Sequence, residues 1–219
     1  MLAKDFYTNN YNINYDLKYE KGKNVYDDFL QSYVIKYCFN KYLRKNISIL
    51  DIGTYSGRIT KKLESYSADI TISDVDIKNI YGLDKYDNYT IDLSIESTID
   101  KKFDLVCSLG HQASFCNNID MAISNISNFL DGSRGVMIVD FWSSNETSCA
   151  KPQYSLERIS ENEIKEIFKN KNLEILDIFY SGRLHAVFGR YWAFFINRFL
   201  KKGSVISKLY ICLESLFKK

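Results

Sequence analysis

The chain has 219 residues, 46% of them apolar, and a net charge of +2. That is material for one large domain with a complete core, or for a domain with an appendage. The five cysteines (Cys38, Cys107, Cys116, Cys149, Cys212) form no CxxC pair and there are only two histidines, so no structural zinc signature is present.

Reduced thiols in a cytoplasmic protein are the simplest account of those cysteines. The opening residues, MLAKDFYTNN, lack an apolar h-region, so no secretory signal is expected. The richness in Asn, Lys, Ile and Tyr, with Pro152 as the one proline, reads as a genome bias, which discounts the tyrosine count as a functional signal. Charge is unevenly spread. Residues 183–219 carry eight Lys/Arg against one acid, Glu214, for +7, and the other 182 residues carry 21 basic and 26 acidic side chains, for −5. A basic tail on an acidic body points to an anionic partner (a phosphorylated substrate, a lipid surface or nucleic acid) or is simply a solvated basic helix.

In chain order, residues 1–24 read as irregular. Tyr7, Tyr11, Tyr15 and Tyr19 recur every fourth residue, but the intervening Asn residues and Gly22 oppose a stable helix. From Val25 to Arg44 the pattern is helical, with Phe29, Tyr33, Ile35, Tyr37, Phe39 and Leu43 mainly on a broad face. Then the apolar run Ile47 to Leu50 ends in Asp51, followed by Gly53, Thr54, Tyr55, Ser56 and Gly57 and a helix-compatible stretch, Arg58 to Tyr66. That is buried strand, glycine turn, helix. Glycine lets backbone approach a ligand closely, the first helix amides face an anion, and a carboxylate can hold an ammonium or a hydroxyl. A turn offering both signs suits an amino-acid zwitterion better than a pyrophosphate.

This stretch resembles motif I of the class I S-adenosylmethionine (SAM) methyltransferases, acidic-x-Gly-x-Gly-x-Gly, with Asp51, Gly53, Tyr55 and Gly57 at the four positions. Tyrosine stands where the family has its middle glycine. The resemblance implies a single α/β domain: a Rossmann-like, seven-stranded, mostly parallel sheet with helices on both faces and a helical insertion before the last strand. It implies SAM as cofactor, its methionine tail meeting Asp51, Gly53 and the turn Thr54, Tyr55, Ser56 and Gly57. A leading segment folds over the cofactor in many members. Tyr19 or Tyr26 fits such a lid, and core filling is the competing reading.

A second apolar run, Ile70 to Ile72, ends at Ser73, Asp74 and Val75. In a doubly wound sheet this strand tip lies beside the first glycine turn, where a carboxylate can accept both ribose hydroxyls. Asp74, with Val75 next to it, is therefore the ribose candidate. GTYSG lacks the GxGxxG spacing, and Asp51 would set a negative charge near a pyrophosphate, which disfavours NAD. A third strand is expected at Asn88 to Ile91. The resemblance sets Asp92, followed by Leu93, at the adenine amine.

KKFDLVCSLG, Lys101 to Gly110, resembles the family's fourth strand, whose following residues face the transferable methyl. Ser108 and Leu109 are assigned to the cofactor. His111 is the candidate base for methylating a hydroxyl, and Gln112 could orient the acceptor hydroxyl. A helix is expected over Asn118 to Leu130. Gly135 to Phe141 resembles the family's motif III strand, with Asp140 and Trp142 at its carboxyl end as substrate contacts. Asp140 has no convincing second ligand nearby in sequence, so no metal is expected. Ser143 to Gln153 reads as a polar loop.

Ser160 and Glu163 form a capping-box signature for a helix to about Asn170, and Leu173 to Tyr180 reads as a sixth strand. Residues 186–200 are apolar with Arg190 and Arg198 embedded, Gly203 breaks the run, and Leu209 to Leu213 is the candidate last strand. The insertion, 183–207, is too short and charged to span a bilayer. It reads as a lid or core cover, a dimer contact, or an interfacial segment with Trp192, Phe194, Phe195 and Phe199 inserted. His185, in this basic region, reads as a substrate-side or surface residue.

The function expected is SAM-dependent methyl transfer to a hydroxyl of a small molecule, sugar or lipid-linked glycan, the acceptor being anionic. The rivals are a non-catalytic SAM-fold protein or partner subunit, and an NAD or nucleotide-sugar enzyme. No base-reading motif for nucleic acid is visible. The chain is expected to be a monomer or homodimer in the cytoplasm, with peripheral contact to the inner membrane face through 183–207 as an alternative placement.

Overall fold

The computed structural model describes residues 24–76, 83–116, 118–144 and 158–180. The tyrosine stripe of residues 7–19, the Tyr26 side chain, most of the Ser143–Gln153 loop, the 183–207 insertion with His185, and the Leu209–Leu213 strand lie outside the described residues.

One compact unit holds the described residues 38–144 and 158–175. Its centre is a five-stranded sheet, β1 (Ile49–Ile52), β2 (Ile70–Asp74), β3 (Asp87–Thr90), β4 (Leu105–Ser108) and β5 (Val136–Val139), in the order β3-β2-β1-β4-β5. All pairings are parallel, with Asp51 opposite Ile72 on one side and Cys107 on the other. β1, β2 and β4 are buried along their whole length, as strands covered on both faces are, with Asp51, Thr71, Ser73, Asp74 and Ser108 as the polar residues among them. β3 is the exposed edge.

Chain direction across the sheet reverses between β1 and β4. Right-handed crossovers then carry the connections of the two halves to opposite faces. Helix α2 (Arg58–Leu63) links β1 to β2. Helix α3 (Ile119–Asn128) links β4 to β5 and starts at Asn118, whose side chain accepts the Met121 N–H. The alternation of strand side chains sorts β1 between these faces. Leu50 and Ile52 join Val106, Ile123, Ile126 and Phe129 in the large core cluster, and Asp51 faces α2. Helix α4 (Glu161–Asn170) forms both bonds of its capping box, Ser160 Oγ with the Glu163 N–H and the Glu163 carboxylate with the Ser160 N–H.

Among the described residues the sheet has five strands, not the expected seven. The sixth, placed at Leu173–Tyr180, is not a strand, and Leu176 and Ile178 are 42% and 40% exposed. An apolar composition gives a segment no ladder; a strand exists only beside another, and no described strand flanks this one.

The second unit holds the described residues 24–37 and 176–180. Helix α1 (Asn24–Lys41) begins in it and ends three residues before the expected Arg44, as the Tyr42 and Leu43 amides both turn back to the Cys38 carbonyl. Phe29, Tyr33 and Tyr37, each one turn apart, stack in a column, and Phe179 packs edge-on to the last two. The Tyr37 hydroxyl donates to Asp177 at 3.0 Å. Ile35 is buried away from that column, so the apolar positions of α1 encircle the helix and do not form one broad face.

Candidate functional site

The carboxyl ends of β1, β2, β4 and β5 meet where the strand order reverses, the place where open α/β sheets bind ligands. The glycine turn after β1 is fastened to β2: the Gly53 and Thr54 amides both donate to the Ser73 carbonyl, at 2.8 and 2.9 Å. Thr54 Oγ1 donates to the Asp51 carbonyl at 2.9 Å, and the Gly57 amide closes the turn on the Thr54 carbonyl. Tyr55 takes φ +51°, a left-handed conformation that favours glycine. The residue at the resembled family's middle glycine thus adopts a glycine-like backbone at a cost. Ser56, half-buried, completes the turn.

The two remaining glycines are held by close neighbours. A Cβ on Gly53 would lie 2.3 Å from Gln112 Cδ, and one on Gly57 would lie 2.9 Å from the Leu83 side chain. Sequence reasoning did not find Leu83, which follows a stretch with no clear pattern.

Asp51 is not at the tip of its strand, since β1 continues through Ile52. Its side chain is 1% exposed beneath α2 and accepts the Thr60 hydroxyl at 2.5 Å. Burial pushes its carboxyl up to about 7, against the lowering effect of the Thr60 hydrogen bond and of Arg58. Beside it in register, the Cys107 thiol is held well above its ordinary value by burial and by the Asp51 charge. Thr60 was also missed. The available signal was a hydroxyl between Ile59 and Leu63 on the buried side of a short helix.

Asp74 ends β2 beside the glycine turn. Its Oδ2 accepts the Tyr55 N–H at 3.0 Å and its Oδ1 the Asp76 N–H at 3.4 Å, while Val75 between them is half-buried. After β3, Asp92 Oδ1 accepts both the amide and the hydroxyl of Ser94, at 2.9 and 2.5 Å, which makes an Asx-type turn. Leu93 is buried in the main core cluster with Ile52 and Ile91.

On the other half of the sheet, Ser108 closes β4 with a buried hydroxyl that makes no hydrogen bond to a described residue, and Leu109 beside it is buried. Gly110 and His111 both direct their amides at the Asp140 carboxylate, at 3.0 and 2.6 Å. The His111 ring meets Trp142 edge-on at 5.2 Å, and its Nδ1 lies 3.7 Å from Asp140 Oδ2. Trp142 donates its own amide to Ser114 Oγ at 3.0 Å.

The fold therefore gathers Gly53 to Gly57, Asp74, Ser108 to Gln112, Asp140 and Trp142 on one rim, with Asp51 beneath it and Leu93 in the core. The donor set fits a nucleoside carrying an amino-acid tail. A carboxylate stands beside a glycine turn, and the buried Ser108 hydroxyl is an orphan within the same rim. Among the described residues no group of three or more His, Cys, Asp or Glu is placed to hold a metal ion, and no helix is long and apolar enough to cross a membrane. A groove of about 470 Å³ lies at the opposite, amino ends of β2 and β3, lined by Glu64, Asp69, Lys85 and Tyr86 among others, and shares no residue with the rim.

No protein-family model matches the sequence, and no curated protein matches it. Solved structures do match by fold. The magnesium protoporphyrin IX methyltransferase ChlM from Synechocystis PCC 6803, with bound S-adenosylhomocysteine (SAH), aligns with a TM-score of 0.65 at 15% identity, over 82% of this chain and 92% of that one. A SAM-dependent methyltransferase from Clostridium acetobutylicum aligns with a TM-score of 0.58 at 15% identity, over 79% and 89%. A chain of the complex between the Haloferax volcanii Trm112 methyltransferase activator and a methyltransferase aligns with a TM-score of 0.58 at 16% identity, over 81% and 79%. The chain has the α/β fold of the SAM-dependent methyltransferases.

Proposed function

We propose that this protein is a SAM-dependent methyltransferase whose acceptor is a hydroxyl of a small molecule, sugar or lipid-linked glycan, and that residues 45–182 form its cofactor-binding core. The observation that carries this reading is the joining of the two strand tips: the Asp74 carboxylate holds the turn amide of Tyr55 at the reversal point of a parallel sheet. A carboxylate there is in place for a ribose diol, next to a glycine turn that lies on the same rim and on the side where an amino-acid tail would extend. The fold likeness to structures with bound SAM and SAH supports the same cofactor.

When bound, SAM supplies a sulfonium leaving group and an electrophilic methyl. The chain's own residues have the simpler tasks of binding, orienting and moving one proton. Asp74 and Asp92 would hold the nucleoside, and the Gly53–Gly57 turn the amino-acid end. His111 would accept the acceptor's hydroxyl proton, on the loop that Asp140 fastens. Trp142 would wall the acceptor side. Most of the rate enhancement would come from alignment.

Calorimetry with SAM, SAH and NAD tests the cofactor. SAM and SAH should bind and NAD should not; binding of NAD alone would overturn the reading. Once an acceptor is in hand, His111→Ala should cut turnover at least ten-fold with SAH affinity preserved, and an undiminished rate would remove His111 as the base.

A further inference from the structure

Gln112 is the side chain that most closely covers the glycine turn. A Cβ built on Gly53 would stand 2.3 Å from Gln112 Cδ, 2.5 Å from Nε2 and 2.8 Å from Cγ, so the carboxamide lies directly over the Gly53 backbone. The same Nε2 would lie 3.5 Å from a Cβ on Gly110. Gln112 thus reaches from the loop after β4 across to the turn after β1, spanning the two adjacent strands between which the sheet reverses. Its backbone starts the 3-10 turn Gln112–Phe115 and accepts the Cys116 thiol at 3.6 Å. Among the described residues, none hydrogen-bonds its carboxamide.

A polar amide seated over a glycine, at φ +72° and with no side chain of its own, has no packing task that leucine or methionine would not do better. We infer that Gln112 belongs to the cofactor side of the site and not the acceptor side, with its carboxamide reading the amino-acid end of the bound nucleoside. An amide offers two N–H donors and a carbonyl acceptor, so one side chain can address the carboxylate or the ammonium of a zwitterion. This inference rests on the SAM reading above.

The test uses the full chain and two probes: SAH, and 5′-deoxy-5′-methylthioadenosine, which keeps the nucleoside and lacks the amino-acid end. Gln112→Ala should weaken SAH binding about ten-fold in calorimetry, in line with a lost charge-assisted hydrogen bond, and leave the methylthioadenosine affinity unchanged. Gln112→Glu, of nearly the same shape, keeps the packing and separates contact from folding. It should shift SAH affinity and spare methylthioadenosine. Equal losses on both probes, or no loss on either, would overturn the assignment with the cofactor reading intact. A wild-type chain that binds neither probe would sink the cofactor reading, and this one with it.

Discussion

The Asp140 carboxylate accepts the His111 backbone amide at 2.6 Å, although 29 residues separate them. It also takes the Gly110 amide, so a residue just past β5 fastens the loop that leaves β4. His111 itself sits at φ +63°, a conformation that a histidine keeps only when its surroundings hold it there. Asp140 is such a restraint, which gives it a loop-holding task in addition to the substrate contact expected of it.

Removing that acceptor should loosen the loop. Asp140→Ala is expected to lower stability by about 1–3 kcal/mol, because two amides lose a charged partner. Hydrogen exchange at Gly110 and His111 should accelerate. Unchanged exchange at both amides would show that the loop is held by something else.

Stability should depend on pH through Asp51. Its carboxyl is raised from 3.8 to about 7 by burial. Between those values the unfolded chain is ionised and the folded one holds its proton, so the folded state binds more protons and stability falls as pH rises. The contribution is complete below about pH 4 and gone above about pH 7. Asp51→Asn keeps an acceptor for Thr60 and removes the titration. It should match the wild type near pH 4 and exceed it at pH 8 by an amount on the order of a few kcal/mol. Parallel melting curves across pH for both proteins would refute this.

The left-handed Tyr55 offers a cleaner measure of backbone strain. Tyr55→Ala and Tyr55→Gly lose the same ring and differ in tolerance for φ +51°. The glycine variant should be the more stable of the two by about 1 kcal/mol, measured by urea unfolding. An alanine variant of equal or greater stability would mean that the turn relaxes out of that conformation.

Asp74 has a structural task and a proposed binding one, and two variants separate them. Asp74→Asn can still accept the Tyr55 amide and should hold its stability near wild type, whereas Asp74→Ala should lose about 1–2 kcal/mol. Both should weaken SAH binding, the alanine variant more than ten-fold. If Asp74→Ala binds SAH as tightly as wild type, Asp74 is not a ribose contact.

The local features of this fold were plain in the sequence. The apolar runs Ile47 to Leu50 and Ile70 to Ile72 and the stretch Lys101 to Gly110 mark what the structure has as the buried strands Ile49–Ile52, Ile70–Asp74 and Leu105–Ser108, and Ser160 with Glu163 marks a helix start. The motif order brings Gly53 to Gly57, Asp74, Ser108 to Gln112, Asp140 and Trp142 to one rim, because βαβ units return every strand to the same edge, whereas Leu93 lies in the core. Other features were settled only in three dimensions. The apolar residues of Leu173–Tyr180 promised a strand, yet a strand needs a neighbour, and the described chain supplies none there. Asp51 looks in sequence like a rim carboxylate, but the pleat turns it under α2 against Thr60. The pairing of Asp140 with the His111 amide, and the reach of Gln112 to Gly53, depend on the register of strands far apart in the chain. Periodicity is a property of neighbours along the backbone. Which polar atoms meet is decided by how separate elements pack, and the energy of that meeting comes from burial that no local stretch can express.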